Sequence, residues 1–169
     1  FTTFAWTGPN SFVSAAQNPS IPSVTAAVQF TYFGFVSDNN GCTSLPVTTF
    51  VTVNSNPTIG SATATPNPIC VGQTLGLNAA GAGGSGSYVS YAWTGPNGYT
   101  AATQAATRPA MTTADAGASS VTVTDNNGCT SAPGATSAVV VNTLPTITAN
   151  ATPNPLCIGA TLALSSTPS

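Results

Sequence analysis

Few side chains in this chain can do chemistry: four cysteines, three aspartates and one arginine, with no lysine and no histidine. Without histidine or lysine, a serine or threonine nucleophile has no ordinary general base. Asp38 and Asp125 both open the sequence Asp-Asn-Asn-Gly, so they are two copies of one position and not an acid–base pair. We therefore predict that the protein is not an enzyme.

The segments Asp38–Gly41 and Asp125–Gly128 have two interpretations. Asp and Asn supply the hard oxygen ligands that calcium prefers, but one carboxylate per loop is few for a tight site. Asn-Gly is also the pair that tight hairpin turns favour, and an Asp before it can cap the backbone. We interpret both segments as turns and expect no metal ion and no other cofactor.

The cysteines reveal how the chain is organised. Cys42 and Cys129 are 87 residues apart, and so are Cys70 and Cys157. The phrases around them recur with the same spacing: VSDNNGCTSLP with VTDNNGCTSAP, and ATPNPICVG with ATPNPLCIG. The two tryptophans, in FAWTGPN and YAWTGPN, follow the same rule. A fixed period of this length indicates tandem copies of a small domain.

This period divides the chain into three parts. Residues 57–143 form a complete repeat, residues 1–56 a first repeat without its first two strands, and residues 144–169 the first two strands of a third. In the complete repeat, strand-like segments cover 58–65, 71–79, 88–94, 119–124 and 135–141, and the segment 99–113 is ambiguous. About seven short strands without helical period predict an all-β fold, a two-layer antiparallel sandwich of immunoglobulin type. The predicted core residues are Trp6, Trp93, Leu75, Leu77, Val121, Val123, Val139 and Val141.

The composition excludes some partners. Charged residues make up 2% of the chain, so no basic patch exists for nucleic acid. No run of about 20 apolar residues is present, so we expect no membrane insertion. Cysteines at a fixed place in each repeat fit an oxidising, extracellular setting better than the cytosol.

The combined pattern NPxCxG, WTGPNG, VTVTDNNGCTS and VVVN resembles the PKD-like and immunoglobulin-like repeats of giant secreted surface proteins of Bacteroidota. The resemblance covers 4–12, 36–77, 91–99 and 121–164. It implies tandem immunoglobulin-like (PKD-like) sandwiches, export to the cell surface and a structural or adhesive role, such as the shaft of a filament. The alternative is a module that binds a glycan or protein ligand through loops such as Gly8–Ser14 and Gly95–Tyr99.

The cysteine pairing has two solutions. The first is a Cys70–Cys129 disulfide within one domain. The two positions are expected at opposite ends of the sandwich, roughly 20 Å apart at ~3.3 Å per residue. A disulfide needs Cα atoms within about 7 Å. A bond between adjacent domains joins the lower end of one to the upper end of the next. We expect Cys42 and Cys157 to pair outside their own chain.

The two ends of the chain complement each other. The tail, residues 144–169, supplies the two strands that the head, residues 1–56, lacks, so copies are expected to join head to tail. The copies are either separate subunits that donate strands or parts of one continuous chain. Phe33 and Phe35 match Ser120 and Thr122 of the complete repeat and are expected to face outward, against a neighbouring copy. The predicted assembly residues are Phe33, Phe35, Leu144, Ile147, Leu156, Leu162 and Leu164.

Overall fold

The computed structural model of the chain describes residues 3–168, apart from the side chain of Ala27. Phe1, Thr2 and Ser169, which belong to the predicted ranges 1–56 and 144–169, lie outside the described residues. The strands are β1 (Thr3–Thr7), β2 (Val13–Ser14), β3 (Phe30–Ser37), β4 (Val47–Val51), β5 (Pro57–Thr65), β6 (Ile69–Cys70), β7 (Leu75–Gly83), β8 (Tyr88–Gly95), β9 (Tyr99–Ala101), β10 (Ala105–Arg108), β11 (Ser120–Asp125), β12 (Gly134–Ala135), β13 (Val141–Asn142), β14 (Ile147–Thr152) and β15 (Ala163–Pro168). Single 3₁₀ turns cover Ala26–Val28, Pro96–Gly98 and Thr113–Asp115. The described residues form two compact units, one of 3–58, 81–89 and 123–131, the other of 59–80, 90–122 and 132–168.

The head of the chain folds into a four-stranded sheet, ordered β2-β1-β3-β4, which we call the head sheet. Its strands are antiparallel, and Trp6 of β1 lies opposite Gly34 of β3. Alternate residues of a strand point to opposite faces. Tyr32 and Gly34 are buried on one face, the inner face, whereas Phe33 points to the other, the outer face.

The central repeat contains two sheets, with strand orders β10-β7-β5 and β12-β11-β8-β9. Alternation places Leu75 and Leu77 of β7, Trp93 of β8 and Val121 of β11 in the interior, each at most 2% exposed. The prediction of an all-β, immunoglobulin-like sandwich is confirmed. Of the other predicted core residues, Val123 and Val139 are buried, whereas Val141 and Trp6 are only partly buried.

Two strands differ from their predicted bounds. The strand predicted at 71–79 begins at Leu75 and runs to Gly83, because Gly72 adopts a positive φ of 85° and Gln73 closes a turn onto the Cys70 carbonyl. The strand predicted at 135–141 is broken into β12 and β13. Between them Val139 bridges to Gly117, and β13 then pairs in parallel with β6.

The tail forms a hairpin of β14 and β15, which we call the tail hairpin. Asn150 lies opposite Ser165. In the central repeat the Thr63 hydroxyl donates to the Asn78 carbonyl, and these positions are each 87 residues earlier (63 + 87 = 150, 78 + 87 = 165). The tail hairpin therefore repeats the pairing of β5 with β7.

Candidate assembly surfaces

The tail hairpin exposes the side chains that the central repeat buries. Leu162 is 47% exposed and Leu164 is 75% exposed. Their equivalents, Leu75 and Leu77, are both 2% exposed. Every residue of β14 and β15 is exposed to solvent. The other predicted assembly residues of the tail, all exposed as well, are Leu144, Ile147 and Leu156.

The inner face of the head sheet carries two open, mainly apolar cavities beside Trp6. One has a volume of about 410 Å³ and the other about 420 Å³. Trp6 is only partly buried, whereas its equivalent Trp93 is 1% exposed. The larger apolar side chains around the first cavity are Trp6, Phe12, Ile21, Val24, Val28, Tyr32 and Val51. The inner face is therefore less covered than the same face in the central repeat.

A polar cluster of the central repeat is replaced by apolar residues in the head. Arg108 forms an ion pair with Asp115, donates to the Pro96 carbonyl at 2.9 Å and lies 5.0 Å from the centre of the Tyr99 ring. The corresponding head residues, 87 positions earlier, are Ile21, Val28 and Phe12. These three line the first cavity, where Phe12 packs edge-on against Tyr32 at 5.7 Å.

The loop Gly95–Tyr99, considered above as a ligand site, is braced from within the domain. The Asn97 amide donates to the Asp115 carboxylate at 3.2 Å, and the Tyr99 hydroxyl donates to the Thr107 carbonyl at 3.2 Å. Burial raises the pKa of Tyr99, and the Arg108 charge partly opposes this rise. These polar groups therefore hold the turn in place.

Asp115 is fixed as a carboxylate. Its Oδ2 accepts hydrogen bonds from the Thr112 hydroxyl at 2.7 Å and from the Thr112 amide at 2.8 Å. The two bonds from Thr112 lower the pKa of Asp115, burial opposes them, and Asn97 and Arg108 lower the pKa further. Asp115 therefore stays ionised, and able to pair with Arg108, to a lower pH than an ordinary aspartate does.

The Asp-Asn-Asn-Gly segments are turns that their aspartates cap. Asp38 Oδ1 accepts the amides of Asn40 and Cys42, each at 2.9 Å. Asp125 Oδ1 accepts the amides of Asn127 and Cys129, each at 3.0 Å. In residues 3–168 no three His, Cys, Asp or Glu side chains come together to hold a metal ion.

Asp125 also organises the glycine-rich loop. Its Oδ2 accepts the Ser85 amide at 2.9 Å, and the side chain is fully buried. Burial raises the pKa of Asp125, but the backbone donors of Ser85, Cys129 and Asn127 outweigh it, so the pKa lies below its ordinary value of 3.8.

All four cysteines are free thiols in this structure: Cys42 and Cys157 are exposed, and Cys70 and Cys129 are partly buried. The Cys70–Cys129 bond within one domain is not formed. Each backbone is held separately, since Cys70 pairs with Asn142 in the β6–β13 ladder and Cys129 donates to Asp125. Bonds between different chains stay a prediction.

The outer face of the head sheet is apolar. Phe33 is 39% exposed, Phe50 is 63% exposed, and Phe35 is partly buried. The ladder places Phe33 opposite Thr7 on one side and Thr48 on the other, so these residues share one face. The central repeat has hydroxyl residues at the positions of Phe33, Phe35 and Phe50, namely Ser120, Thr122 and Ser137.

Sequence reasoning missed a clamp formed by Asn67. Its side-chain nitrogen donates to the Ala138 carbonyl at 2.9 Å, and its oxygen accepts the Val140 amide at 3.0 Å. One side chain therefore ties the segment between β5 and β6 to the segment before β13. The repeated Asn-Pro in TPNPIC and TPNPLC was the available signal, and Asn154 is the equivalent residue of the tail.

Comparison with known proteins finds similar folds. No protein-family model matches the chain, and no curated protein matches it. The PKD1 domain of Vibrio anguillarum Epp is 24% identical with a TM-score of 0.40; the match covers 53% of this chain and 100% of that one. The amphioxus IgVJ-C2 molecule is 15% identical over 82% of this chain and 89% of that one, with a TM-score of 0.42. The fibronectin(III)-like modules of Clostridium thermocellum CbhA are 14% identical over 84% of this chain and 78% of that one, with a TM-score of 0.45. At these TM-scores none of the similarities assigns a function.

The chain is thus an all-β protein of PKD-like and immunoglobulin-like sandwich class, on the evidence of its own strands and core. Within residues 3–168, no helix has the length and apolar character needed to cross a membrane.

Proposed function

We propose that the protein is a structural subunit of an extracellular surface filament, assembled head to tail by completion of split β-sandwich domains. The tail hairpin of one copy covers the inner face of the head sheet of the next. The observation that carries this proposal is the contrast between equivalent leucines. Leu164 is 75% exposed, whereas Leu77 at the same place in the complete repeat is 2% exposed.

The tail hairpin and the inner face of the head sheet both expose apolar side chains of the kind that fill the interior of a sandwich. Fully burying a leucine side chain is worth about 1.5–3 kcal/mol. An isolated two-stranded hairpin is at best marginally stable in water, so the tail hairpin gains from a sheet to pack against. The head sheet offers apolar cavities beside Trp6 and Phe12. Because the contact joins different surfaces of the two copies, it continues into a linear array instead of closing as a dimer.

The cysteine content of the chain supports an extracellular location. Two cysteines in every repeat period suit an oxidising compartment. Cys42 and Cys157 are exposed to solvent, where another copy can reach them. We expect Cys42 and Cys157 to form bonds between copies, which non-reducing gel electrophoresis would reveal as multimers that reductant removes.

The outer face of the head sheet supplies a second contact in the filament. Phe33 and Phe35 stand where the central repeat has Ser120 and Thr122. With 2% charged residues, the chain has almost no charge to keep such faces apart. We therefore place this face against a neighbouring copy.

Electron microscopy of the purified chain tests the proposal. We expect unbranched filaments whose axial repeat equals the length of two sandwich domains, since each subunit contributes one complete domain and two parts of another. The test variant is Leu162→Ser with Leu164→Ser, which should remain a folded monomer because both side chains are already exposed. Filaments of unchanged length from this variant, or a wild type that stays monomeric at high concentration, would refute the proposal.

Mass spectrometry of native material, denatured and reduced, decides between the two routes. A species near 16.6 kDa supports separate subunits that donate strands, and a far larger chain supports continuous repeats. Monomers that bind a glycan or protein in dilute solution would instead support the ligand-binding alternative.

A further inference from the structure

We infer that the tail hairpin docks by backbone pairing in one fixed register, forming two strand seams with the next copy. The first seam is antiparallel and joins tail residues 162–165 to head residues Asn18–Ile21. The second is parallel and joins Leu156 and Cys157 to Asn54 and Ser55. This inference rests on the proposed function and specifies how the joint is recognised.

The antiparallel seam follows from the ladder between β10 and β7. There Ala105 lies opposite Asn78, and Arg108 lies opposite Leu75. Subtracting 87 from the β10 positions and adding 87 to the β7 positions pairs Asn18 with Ser165, and Ile21 with Leu162. The sheet order β10-β7-β5 then becomes head segment, β15, β14.

The head segment corresponds to β10 of the central repeat, although its Pro19, at the hydrogen-bonded position of Ala106, has no backbone amide to donate. Residues 18–21 form no strand in the described chain, although their equivalents 105–108 are β10. Asn18 lines both cavities, and Ile21 lines the first. In the tail, β15 pairs with β14 in a sheet of only two strands. Its other edge is therefore the one that β7 uses to hold β10. Docking converts Asn18–Ile21 into a strand.

The parallel seam follows from the ladder between β6 and β13. Ile69 lies opposite Val141 and Cys70 opposite Asn142. The same shifts place Leu156 opposite Asn54 and Cys157 opposite Ser55. This seam lies next to the position of the Asn67 clamp, so Asn154 would bind the Val51 carbonyl and the Val53 amide of the neighbouring copy. The Val53 amide donates to the Gln29 side chain at 3.3 Å in the single chain, a bond that Asn154 would replace.

The alternation of hydrogen-bonded and non-hydrogen-bonded pairs along the ladder decides which two residues to replace with cysteine. The Ala79 amide donates to the Gln104 carbonyl, so Gln104 and Ala79 form a hydrogen-bonded pair. Antiparallel pairs alternate, and non-hydrogen-bonded pairs have Cα atoms about 4.5 Å apart. That separation suits a disulfide. Ala105 and Asn78 are therefore a non-hydrogen-bonded pair, as Asn18 and Ser165 should be.

The test is disulfide trapping in a background where all four native cysteines are serine. The pair Asn18→Cys and Ser165→Cys should give, on mild oxidation of filaments, a non-reducing ladder at multiples of 16.6 kDa. The matched control Asn18→Cys with Ser166→Cys places the second thiol on the opposite face of β15 and should give no ladder. Each single variant should give dimers at most.

The outcomes separate the register from the proposed function. Filaments that ladder only with the Ser165 pair support the inference. Filaments that ladder with the control pair, or with neither, overturn the register and leave the filament intact. Absence of filaments in the wild type overturns the function and the inference together.

Amide hydrogen exchange on wild-type filaments gives an independent measurement, should the cysteine-free background fail to fold. Gln17 and Ile21 correspond to Gln104 and Arg108, which lie in hydrogen-bonded pairs of the ladder. Their amides should therefore exchange at least tenfold more slowly in filaments than in monomers. Unchanged exchange at both residues in filaments would also overturn the register.

Discussion

Replacing the same leucine in two repeats tests how differently the structure treats equivalent positions. Leu77→Ala removes a side chain that is 2% exposed in the central repeat. Buried Leu→Ala substitutions cost about 2–5 kcal/mol, depending on how far the cavity collapses. Leu164→Ala removes a side chain that is 75% exposed. Surface substitutions usually stay within about 0.5 kcal/mol. In the dilute monomer only Leu77→Ala should lower the free energy of unfolding.

In assembly, by contrast, Leu164→Ala should have a large effect. On docking, the exposed fraction of the Leu164 side chain would fall from 75% to the 2% of its equivalent Leu77, a difference of 73 percentage points. That fraction of the ~1.5–3 kcal/mol for burying a leucine is about 1–2 kcal/mol per joint. A loss of 1.4 kcal/mol weakens an equilibrium tenfold, so Leu164→Ala should raise the critical concentration of assembly roughly 5- to 30-fold.

The assays are urea denaturation of the monomer, followed by tryptophan fluorescence, and sedimentation of filaments over a concentration series. If Leu164→Ala destabilises the monomer as much as Leu77→Ala does, the tail hairpin is already packed within its own chain. If filaments form and the critical concentration does not change, Leu164 is not in the joint. Either result would refute the reasoning from burial.

Three further predictions concern other side chains. Asn154→Ala should weaken assembly by about 0.5–1.5 kcal/mol per joint, measured as critical concentration, because the bond to Val51 is lost while the Val53 amide returns to Gln29. Asn67→Ala should instead destabilise the monomer. Because its pKa is lowered in the folded state, Asp125 should stabilise the central repeat above pH 3.8 and lose this effect as the pH falls through the folded value; a pH series of unfolding midpoints should be flatter for Asp125→Asn. Phe33→Ser with Phe35→Thr, which copies the central repeat, should leave the monomer fold unchanged in circular dichroism and reduce the amount of sedimented filament; an unchanged amount would exclude this face from the contact.

Much of the fold was predictable because the sequence repeats every 87 residues, which shows where equivalent strands lie. Equivalent phrases 87 residues apart establish the repeat, and the alternation in Val121–Asp125 is by itself enough to place Val121 and Val123 inside. Strand limits were less predictable. The break between β12 and β13 depends on a bridge from Val139 to Gly117, a partner that the local pattern does not reveal.

The candidate surfaces were predictable only in part. Repeat arithmetic predicts which strands the head lacks, but exposure of Leu164 and half-burial of Trp6 are properties of the folded chain. The Asn67 clamp depends on residues about 70 positions away, so spacing alone could not reveal it. The cysteine pairing also depends on three-dimensional placement, which is why both solutions were consistent with the sequence.

The replacement of the Arg108–Asp115 pair by Ile21 and Val28 has a physical reason if the joint forms between copies. A buried ion pair repays the cost of desolvation only when both partners and their further hydrogen bonds are in place. In the central repeat all of these groups belong to one folded chain, and Arg108 also bonds the Pro96 carbonyl. In the head the same place opens into a cavity that a second copy would have to cover. Ile21 and Val28 are only partly buried in the single chain, and docking can bury them further without leaving an unpaired charge. The head can therefore be stable as a monomer and still gain free energy on assembly.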